Sequence, residues 1–265
     1  MTNVTQAQFE FLRSIDTPTV CNLLEIVAPE RRGFGYTVRH LHCPFPDLPP
    51  MVGFAKTVTM RAQDRVPLGE AGYMNKRLDY LDYVASQPQP GIAVIQDLDD
   101  IVGFGAFWGE VQTNIHKALG CLGTITNGSI RDIPQVAPGF QMLAGSISPS
   151  HAFVHVVDFG GNVNIHGMAV KSGDLIHADR HGAVVVPLNT IDGLPDAALI
   201  ALAEDAYAVR GNTLLRWTAN GYDARKLRPR DTTADVLTPP AVLGVLAAGY
   251  RPQWHPSAGA ISSRP

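Results

Sequence analysis

Apolar and polar residues alternate along several short stretches of the chain, and this is the period of a β-strand. Residues Met51 to Arg61 alternate and are rich in β-branched side chains, so they predict a strand. Residues Gly91 to Gln96 form an unbroken apolar run, which indicates a strand buried on both faces. Further strands are predicted at Phe140 to Ser146, His151 to Phe159, Leu175 to Ala178 and Ala183 to Val186.

Other stretches carry apolar residues at helical spacing. Helices are predicted at Thr5 to Ser14 and Thr19 to Val27, because Asp16-Thr17-Pro18 between them joins a capping residue to a proline suited to a first helical turn. Residues Lys76 to Ser86 and Leu194 to Arg210 each place apolar side chains on one stripe and predict two more helices.

The stretch from Gly109 to Asp132 combines both patterns with charged residues at its two ends. A helix is predicted at Val111 to Leu119 and a short strand at Gly123 to Asn127, with a turn at Asn127-Gly128. If Glu110 begins the helix and Arg131 and Asp132 follow the strand, this return places all three side chains on one rim. The stretch therefore predicts an anion and metal site.

A glycine-rich segment, Gly103-Phe-Gly-Ala-Phe-Trp-Gly109, precedes this helix. Its spacing is Gly-x-Gly-x-x-x-Gly and does not match the dinucleotide-binding pattern Gly-x-Gly-x-x-Gly. A glycine loop that leads into a helix still presents free backbone N–H groups to a small carboxylate. We predict carboxylate binding here and no nucleotide fold.

Composition and charge exclude several classes of partner. The 265 residues are 45% hydrophobic and 17% charged, which is typical of a globular protein. The net charge is −3 and the Lys and Arg residues are scattered, so we expect neither nucleic acid nor an anionic membrane as a partner. The longest apolar runs are too short to span a bilayer, and the first residues do not resemble a secretion signal, so a cytoplasmic location is expected.

Several smaller groups of residues have a structural interpretation and a functional one. The three cysteines are isolated, which favours buried thiols over disulfides, and His40, His42 and Cys43 form a surface loop more readily than a metal site. The acidic run Asp97 to Asp100 and the turn residue Asp179 either cap turns or reach a site, and we favour capping.

The stretch contains a recognisable combination of motifs: Gly109-Glu110 is followed after twenty residues by Arg131-Asp132. With Ser172-Gly173-Asp174 and Asp179-x-x-Gly182-x-Val-Val-Val-Pro187, it resembles the RraA-like family, which includes the 4-hydroxy-4-methyl-2-oxoglutarate/4-carboxy-4-hydroxy-2-oxoadipate aldolases. The helix that begins near Asp16 also resembles the family's first helix. The resemblance covers about residues 10–210. The segment near Asp64 to Tyr83 and the Pro-rich C-terminal part look like additions to the family core.

The resemblance implies an α/β fold of the swivelling β/β/α type, with flanking N- and C-terminal helices and assembly as a homotrimer or homohexamer. We expect one domain over residues 1–230 and a Pro-rich tail over 231–265. The resemblance also implies Mg²⁺ or Mn²⁺ held directly by Asp132. Arg131 and the loop of Gly109, Glu110, Val111 and Gln112 are then expected to bind a pyruvate unit. The family's aldolase motif has aspartate at the position of Glu110.

The chemistry of these residues agrees with that expectation. Cleavage next to an α-keto acid leaves a pyruvate enolate, whose oxyanion must be stabilised. Mg²⁺ takes few carboxylates and several waters, so Asp132 as a direct ligand with Glu110 behind a water is reasonable. The planar guanidinium of Arg131 suits a carboxylate or enolate oxygen. Only Lys117 provides an amine in the stretch, so a Schiff base has little support.

Each of these residues also has a non-catalytic interpretation. Arg131-Asp132 is a common strand-end ion pair, Glu110 is a favourable anion in a first helical turn, and His116 is more typical of a packed histidine than of a base. The sequence therefore leaves three candidate functions. The first is a metal-dependent lyase that cleaves or decarboxylates a pyruvate-derived oxo acid, and the second is a lyase or isomerase of another hydroxy or sugar acid. The third is a non-catalytic regulator that binds an enzyme of RNA degradation.

Overall fold

The computed structural model describes residues 4–66, 69–201, 213–218 and 221–226. The chain forms two compact units, residues 1–192 and residues 193–265. In the second unit residues 194–201 are helical, as predicted, and Thr213–Thr218 pairs with Gly221–Lys226 in an antiparallel hairpin that the sequence did not predict. The rest of the predicted helix, the boundary at residue 230 and the tail lie outside the described residues.

The first unit is built on a mixed sheet of eight strands. A small separate hairpin, β7 and β8, packs against it. The strands are β1 (Met51–Arg61), β2 (Gly91–Asp97), β3 (Ala106–Trp108), β4 (Cys121–Ile130), β5 (Gln141–Ile147), β6 (His155–Phe159), β7 (Val163–Ile165), β8 (Met168–Val170), β9 (Leu175–Asp179) and β10 (Gly182–Val186). The helices are α1 (Gln6–Arg13), α2 (Thr17–Val27), α3 (Glu70–Ala85) and α4 (Glu110–Ala118), with short 3₁₀ segments at Pro29–Gly33, Ile133–Gln135 and Leu188–Gly193.

Strands β1, β2, β4 and β5 run parallel, and two of them change partners along their length. The first half of β1 pairs with β9 and its second half with β6, both antiparallel. The first half of β4 pairs with β2, and its last residues pair with β3, while β5 lies along the other side. The parallel strands therefore end together at one edge of the sheet, which we call the carboxyl edge. Together with the helices, this sheet confirms the predicted α/β class.

Two apolar layers cover the two faces of the sheet. On one face Tyr80 and Val84 of α3 pack with Trp108, Phe140 and Met142, all almost fully buried. On the other face the β7–β8 hairpin packs against inward residues of β2, β4 and β5. Burial on both faces explains why β2 reads as a continuous apolar run in the sequence.

The predicted N-terminal helices are both present. Thr5 and Gln8 form a capping box at the start of α1, and the Asp16 side chain accepts a hydrogen bond from the Thr19 N–H at the start of α2. The fully buried His177 of β9 ties these helices to the sheet. Its Nε2 donates to the carbonyl oxygens of Leu12 and Ile15 at 2.9 and 3.1 Å, which leaves Nδ1 to accept from the Thr17 hydroxyl.

We expect the free energy of unfolding to decrease as the pH falls from about 6.5 towards 4. Burial lowers the pKa of His177 and lowers the pKa of His116 to about 4, so the unfolded chain takes up protons in this range that the folded protein resists. His116 contributes up to ~1.4 kcal/mol of lost stability per pH unit in this range, and the lowered pKa of His177 adds to the loss below pH 6.5. Urea unfolding at several pH values measures the loss.

The His177→Gln variant isolates one of these groups. Glutamine keeps a donor and an acceptor but does not titrate, so we expect lower stability at neutral pH and a shallower decrease below pH 6.5. If the free energy of unfolding of His177→Gln changes with pH as steeply as that of the wild-type protein between pH 6.5 and 4, the fold does not lower the pKa of His177.

Three sequence predictions at the level of elements were wrong. The turn at Asn127-Gly128 is a bulge inside β4, where the Asn127 side chain accepts from the Asp97 N–H and donates to the Asp97 carbonyl. The glycine-rich segment contains β3, because its residues find partners on β4. The helix predicted at Lys76 to Ser86 is present as α3, but it begins earlier, at Glu70, and Leu78, whose helical spacing with Leu81 and Val84 predicted burial, is exposed.

Candidate functional site

The predicted rim forms where three elements end or begin at the carboxyl edge. Strand β3 ends at Trp108, helix α4 begins at Glu110 with Gly109 as its N-cap, and Arg131 and Asp132 follow β4. The Arg131 N–H donates to the Trp108 carbonyl at 2.9 Å, which joins the two chain segments directly. The return from α4 to β4 thus brings Gly109, Glu110, Arg131 and Asp132 together.

The carboxylate of Asp132 is the centre of this arrangement. Its Oδ2 lies 3.4 Å from the Glu110 backbone nitrogen, which donates to it, and 3.5 Å from Arg131 Nε. The side chains of Arg131 and Asp132 are 34% and 36% exposed, so both are accessible to a small molecule. A carboxylate beside a guanidinium and a helix N-terminus can hold a cation while its neighbours bind an anion.

Asp132 adopts a left-handed backbone conformation, with φ 52° and ψ 35°. This conformation is uncommon for a residue other than glycine, and aspartate tolerates it better than most because its short polar side chain bonds locally. The turn directs the chain from β4 into the 3₁₀ segment Ile133–Gln135. Strained residues cluster at functional sites, where the surrounding structure holds them.

Gly109 makes room for the Asp132 carboxylate. A Cβ at Gly109 would lie 2.5 Å from Asp132 Oδ2 and 3.4 Å from Arg131 Cγ. The Gly109 backbone is extended, with φ −167°, so the close approach and not backbone freedom requires glycine here. The predicted substrate residues Val111 and Gln112 belong to the first turn of α4, whose N–H groups have no acceptor within the helix.

Glu110 is held by its backbone, and its side chain is exposed. The Glu110 carbonyl accepts from the Thr113 hydroxyl at 3.0 Å and from the Asn114 amide at 2.8 Å. Among the described residues, none forms a hydrogen bond or ion pair with the Glu110 carboxylate. The structure therefore places Glu110 at the rim beside Asp132, and its catalytic role stays a prediction.

Sequence reasoning missed two residues that support the site. The Thr113 hydroxyl bonds the carbonyls of Gly109 and Glu110 and accepts from the Ala137 N–H at 3.1 Å, so it links α4 to the chain that follows Asp132. Trp108 is fully buried against the His116 ring, 4.6 Å away. The only local sequence feature that pointed to these supporting contacts was the threonine four residues after the N-cap glycine.

His116 is packed, as the sequence favoured. Its Nδ1 donates to the Gln112 carbonyl at 2.7 Å, and the Tyr80 hydroxyl, also at 2.7 Å, then donates to Nε2. Both ring nitrogens are engaged and the side chain is fully buried. His116 therefore fixes the first turn of α4 against α3, and its burial and hydrogen bonds favour a structural role.

The other charged candidates also have structural roles. Buried Asp97 accepts from the N–H groups of Asp99 and Gly103, and burial raises its pKa, while Asp99 accepts from the Ala62 and Gln63 N–H groups. Asp179 accepts from the Thr17 and His181 N–H groups. Burial raises the pKa of Asp179, but these hydrogen bonds outweigh it and the net shift is downward. The aspartates thus cap turns, as favoured.

The residues present suit a divalent cation of the magnesium type. Within the part of the chain that the structure describes, no three His, Cys, Asp or Glu side chains converge as a metal cage, which also leaves the His40, His42 and Cys43 loop without a metal-binding arrangement. Mg²⁺ is commonly held by one or two carboxylates with water in its other positions. Asp132 supplies such a carboxylate. Its Oδ2 accepts from the Glu110 N–H beside Arg131 Nε, and among the described residues no hydrogen bond or ion pair engages its Oδ1, which can take a cation.

The fold and the site define a mixed α/β protein with a carboxylate–guanidinium pair facing a helix N-terminus at the carboxyl edge. The family model described as RraA-like, Aldolase/RraA, matches residues 17–185, so the chain belongs to the RraA-like family. A comparison with curated proteins gives no match. No helix among the described residues combines the length and apolar character needed to cross a membrane.

Solved structures share the fold at low sequence identity. A Streptomyces coelicolor protein, described as an unusual member of the RNase ES inhibitor RraA family, is 21% identical with a TM-score of 0.59, covering 79% of this chain and 99% of its own. A Pseudomonas syringae pv. tomato protein is 20% identical with a TM-score of 0.59, covering 78% and 89%. A structure described under novel cellulases from gut-associated microbes is 20% identical with a TM-score of 0.63, also covering 78% and 89%.

Proposed function

We propose that the protein is a divalent-metal-dependent carbon–carbon lyase that acts on a pyruvate-derived oxo acid. The observation that carries this proposal is the convergence of Arg131, Asp132 and the first turn of α4 on one accessible rim. Such a set binds a carboxylate and stabilises a developing oxyanion next to it. Membership of the Aldolase/RraA family supports the same reaction class.

Some groups of the proposed site bind the substrate, and others stabilise the charge that develops during the reaction. The Arg131 guanidinium bonds the substrate carboxylate in a forked geometry, and the N–H groups of Val111 and Gln112 orient it. Asp132 would hold Mg²⁺ or Mn²⁺, and the Glu110 carboxylate would bond water nearby. When bound, the ion supplies Lewis-acid polarisation of the keto group and a template for the oxo acid.

Retro-aldol cleavage and β-decarboxylation use this site in the same way. In each reaction the carbon–carbon bond breaks and its electron pair forms the pyruvate enolate, whose negative charge Arg131 and the helix N-terminus stabilise. In the retro-aldol case the substrate hydroxyl loses a proton, and the exposed Glu110 carboxylate receives it through water. Protonation of the enolate carbon then gives pyruvate.

We expect the wild-type protein to release pyruvate from oxaloacetate or from a branched hydroxy-oxo diacid only when Mg²⁺ or Mn²⁺ is present. Removing a metal that neutralises developing charge costs several kcal/mol of transition-state stabilisation, so EDTA should reduce the rate by at least about a hundredfold. A coupled lactate dehydrogenase assay measures pyruvate over a panel of these substrates.

Metal ions also promote decarboxylation of free oxaloacetate, so the control is heat-denatured protein with the same metal. The rate above this background is the enzymatic rate. Turnover that is equal with EDTA and with Mg²⁺ would contradict the metal-dependent reaction. Cleavage of a longer sugar acid with no release of pyruvate would favour the alternative lyase or isomerase of another hydroxy acid.

The second candidate is a non-catalytic regulator of RNA degradation. The likeness to the Streptomyces coelicolor protein, itself described within the RNase ES inhibitor RraA family, favours this reading. Its test adds the purified protein to an RNase E-type cleavage reaction. Inhibition by the wild-type protein together with no pyruvate release from any substrate of the panel would replace the lyase proposal.

A further inference from the structure

An open cavity lies at the carboxyl edge, and its lining does not include Asp132. Its volume is about 380 Å³, and its walls include Arg65, Tyr73, His151, Phe153 and Val154. The two sides come from different parts of the chain. Arg65 follows the end of β1 and Tyr73 lies in the first turns of α3, whereas His151, Phe153 and Val154 precede β6.

The sheet fixes the position of this cavity relative to the candidate active site. Arg61 at the end of β1 pairs with His155 at the start of β6, so the cavity lies beyond β1. The cavity shares no lining residue with the candidate site at Gly109 to Gln112, Arg131 and Asp132. The cavity and the site around Asp132 are therefore separate places on one edge.

One cation of the cavity is positioned without a neutralising partner. The Arg65 guanidinium lies 5.4 Å from the centre of the Phe153 ring, in a cation–π contact that leaves its N–H edges available. Among the residues that the structure describes, no carboxylate pairs with Arg65, and the described cavity wall contains no acidic side chain. The cavity thus presents a guanidinium, a phenol and an imidazole around apolar surface.

The wall opposite α3 is held in a defined conformation. Ala152 has φ +46°, which is strained for alanine, and its N–H donates to Ser150 Oγ at 3.0 Å. The Phe153 N–H donates to the Ala62 carbonyl, and His151 Nδ1 donates to the Ala152 carbonyl at 2.7 Å. These bonds hold the backbone that carries Phe153, whose ring contacts the Arg65 guanidinium.

The other wall comes from the segment Asp64 to Tyr83, which looks like an addition to the family core. Arg65, Val66 and Tyr73 all belong to it. The pyruvate-binding residues predicted from the family resemblance lie elsewhere, at Gly109 to Gln112 and at Arg131. The cavity therefore uses none of the residues proposed for the reaction at Asp132.

We propose that this cavity binds a small organic carboxylate that carries an aromatic or other compact apolar group. The N–H groups on the free edge of Arg65 donate to the carboxylate in a charge-assisted pair, and the Tyr73 hydroxyl donates a further hydrogen bond. Phe153, Val154 and Val66 cover the apolar group. Pockets that bind small molecules commonly combine such apolar walls with a few polar groups that fix orientation.

Binding of benzoate, followed by chemical-shift changes in NMR spectra of the full chain, tests this assignment. We expect saturable binding at millimolar concentrations and binding of the uncharged benzyl alcohol that is about tenfold weaker, because it lacks the charge-assisted pair. Arg65→Gln should weaken benzoate binding by about tenfold, and Tyr73→Phe by a few-fold. The exposed Arg13, far along the chain in α1, gives the control Arg13→Gln, which should bind benzoate normally.

Asp132→Asn separates this proposal from the proposed reaction, since it should bind benzoate like the wild-type protein. Arg65→Lys provides a second variant that keeps the positive charge, and intermediate affinity is expected because lysine lacks the planar fork. No saturable benzoate binding by the wild-type protein, equal binding of benzyl alcohol, or unchanged affinity in folded Arg65→Gln would each overturn the assignment. Loss of benzoate binding in Arg131→Gln, with normal binding in Arg65→Gln, would place the benzoate at the active site instead.

Discussion

Asp132→Asn should eliminate metal-dependent pyruvate release while the protein remains folded. Asparagine has the same shape as aspartate and also tolerates the left-handed conformation that residue 132 adopts, so the turn after β4 is preserved. It lacks the negative charge that would hold Mg²⁺ or Mn²⁺. Loss of the charge and of the cation's stabilisation should reduce kcat/KM by about a thousandfold or more.

The metal should be lost together with the activity. Titration with Mn²⁺ followed by electron paramagnetic resonance measures binding without any substrate, and Asp132→Asn should bind Mn²⁺ far more weakly than the wild-type protein. Arg131→Lys should retain Mn²⁺ but lose about tenfold to a hundredfold in kcat/KM, because lysine is charged but cannot form the bidentate pair. The two variants thus separate the metal role from the carboxylate role.

An exposed ion pair in the same unit provides the matched control. Arg180 and Asp47 lie 3.7 Å apart with side chains 52% and 98% exposed, outside the candidate site. Asp47→Asn and Arg180→Lys make the same chemical changes as the test variants and should leave kcat/KM unchanged, because exposed pairs contribute little. Persistent metal-dependent pyruvate release by folded Asp132→Asn would disprove the assignment of the metal ligand.

Gly109→Ala should reduce activity by about a hundredfold with little loss of stability. The new Cβ would occupy a point 2.5 Å from Asp132 Oδ2, so the carboxylate must move away from the first turn of α4. The backbone itself is extended and accepts alanine. Displacement of a catalytic group by about 1 Å can cost about a hundredfold in rate.

Glycine-to-alanine substitutions at two other positions serve as controls for Gly109→Ala. At Gly161 a Cβ would meet nothing within 4 Å, so Gly161→Ala should keep both activity and stability. At Gly123 a Cβ would lie 2.2 Å from the Gln141 backbone oxygen, so Gly123→Ala should destabilise the sheet itself. Urea unfolding and pyruvate release measured on all three variants distinguish a site effect from a folding effect. Normal activity in Gly109→Ala would show that the Asp132 position is not critical.

Local signals in the sequence account for most of the fold. Alternation predicted β1, an apolar run predicted β2, and Asp16 with Pro18 marked the start of α2, because each feature depends on residues close together in the chain. The juxtaposition of Glu110 with Arg131 and Asp132 was predictable for the same reason. A short helix followed by a parallel strand returns the chain to the same edge.

Features that depend on distant partners were not predictable. The three residues of β3 have no period of their own and form a strand only through pairing with β4. Asn127-Gly128 carries a turn signature, but the Asn127 amide replaces ladder hydrogen bonds to Asp97 and keeps the chain extended. The cavity beside Arg65 needs α3 and the chain before β6 to meet, and the sequence contains no signal for that contact.

The change of partner along β4 has a consequence for how this protein can diversify. Strand β4 carries Arg131 and Asp132 at its end and also holds β3, which leads to Gly109, so both walls of the site belong to one hydrogen-bonded piece. Substitutions that shift β4 therefore alter folding and chemistry together and are readily eliminated by selection. Among the described residues the Glu110 carboxylate has no hydrogen-bond partner, although the Glu110 N–H donates to Asp132, so new reaction specificities are most accessible to evolution through changes of this side chain.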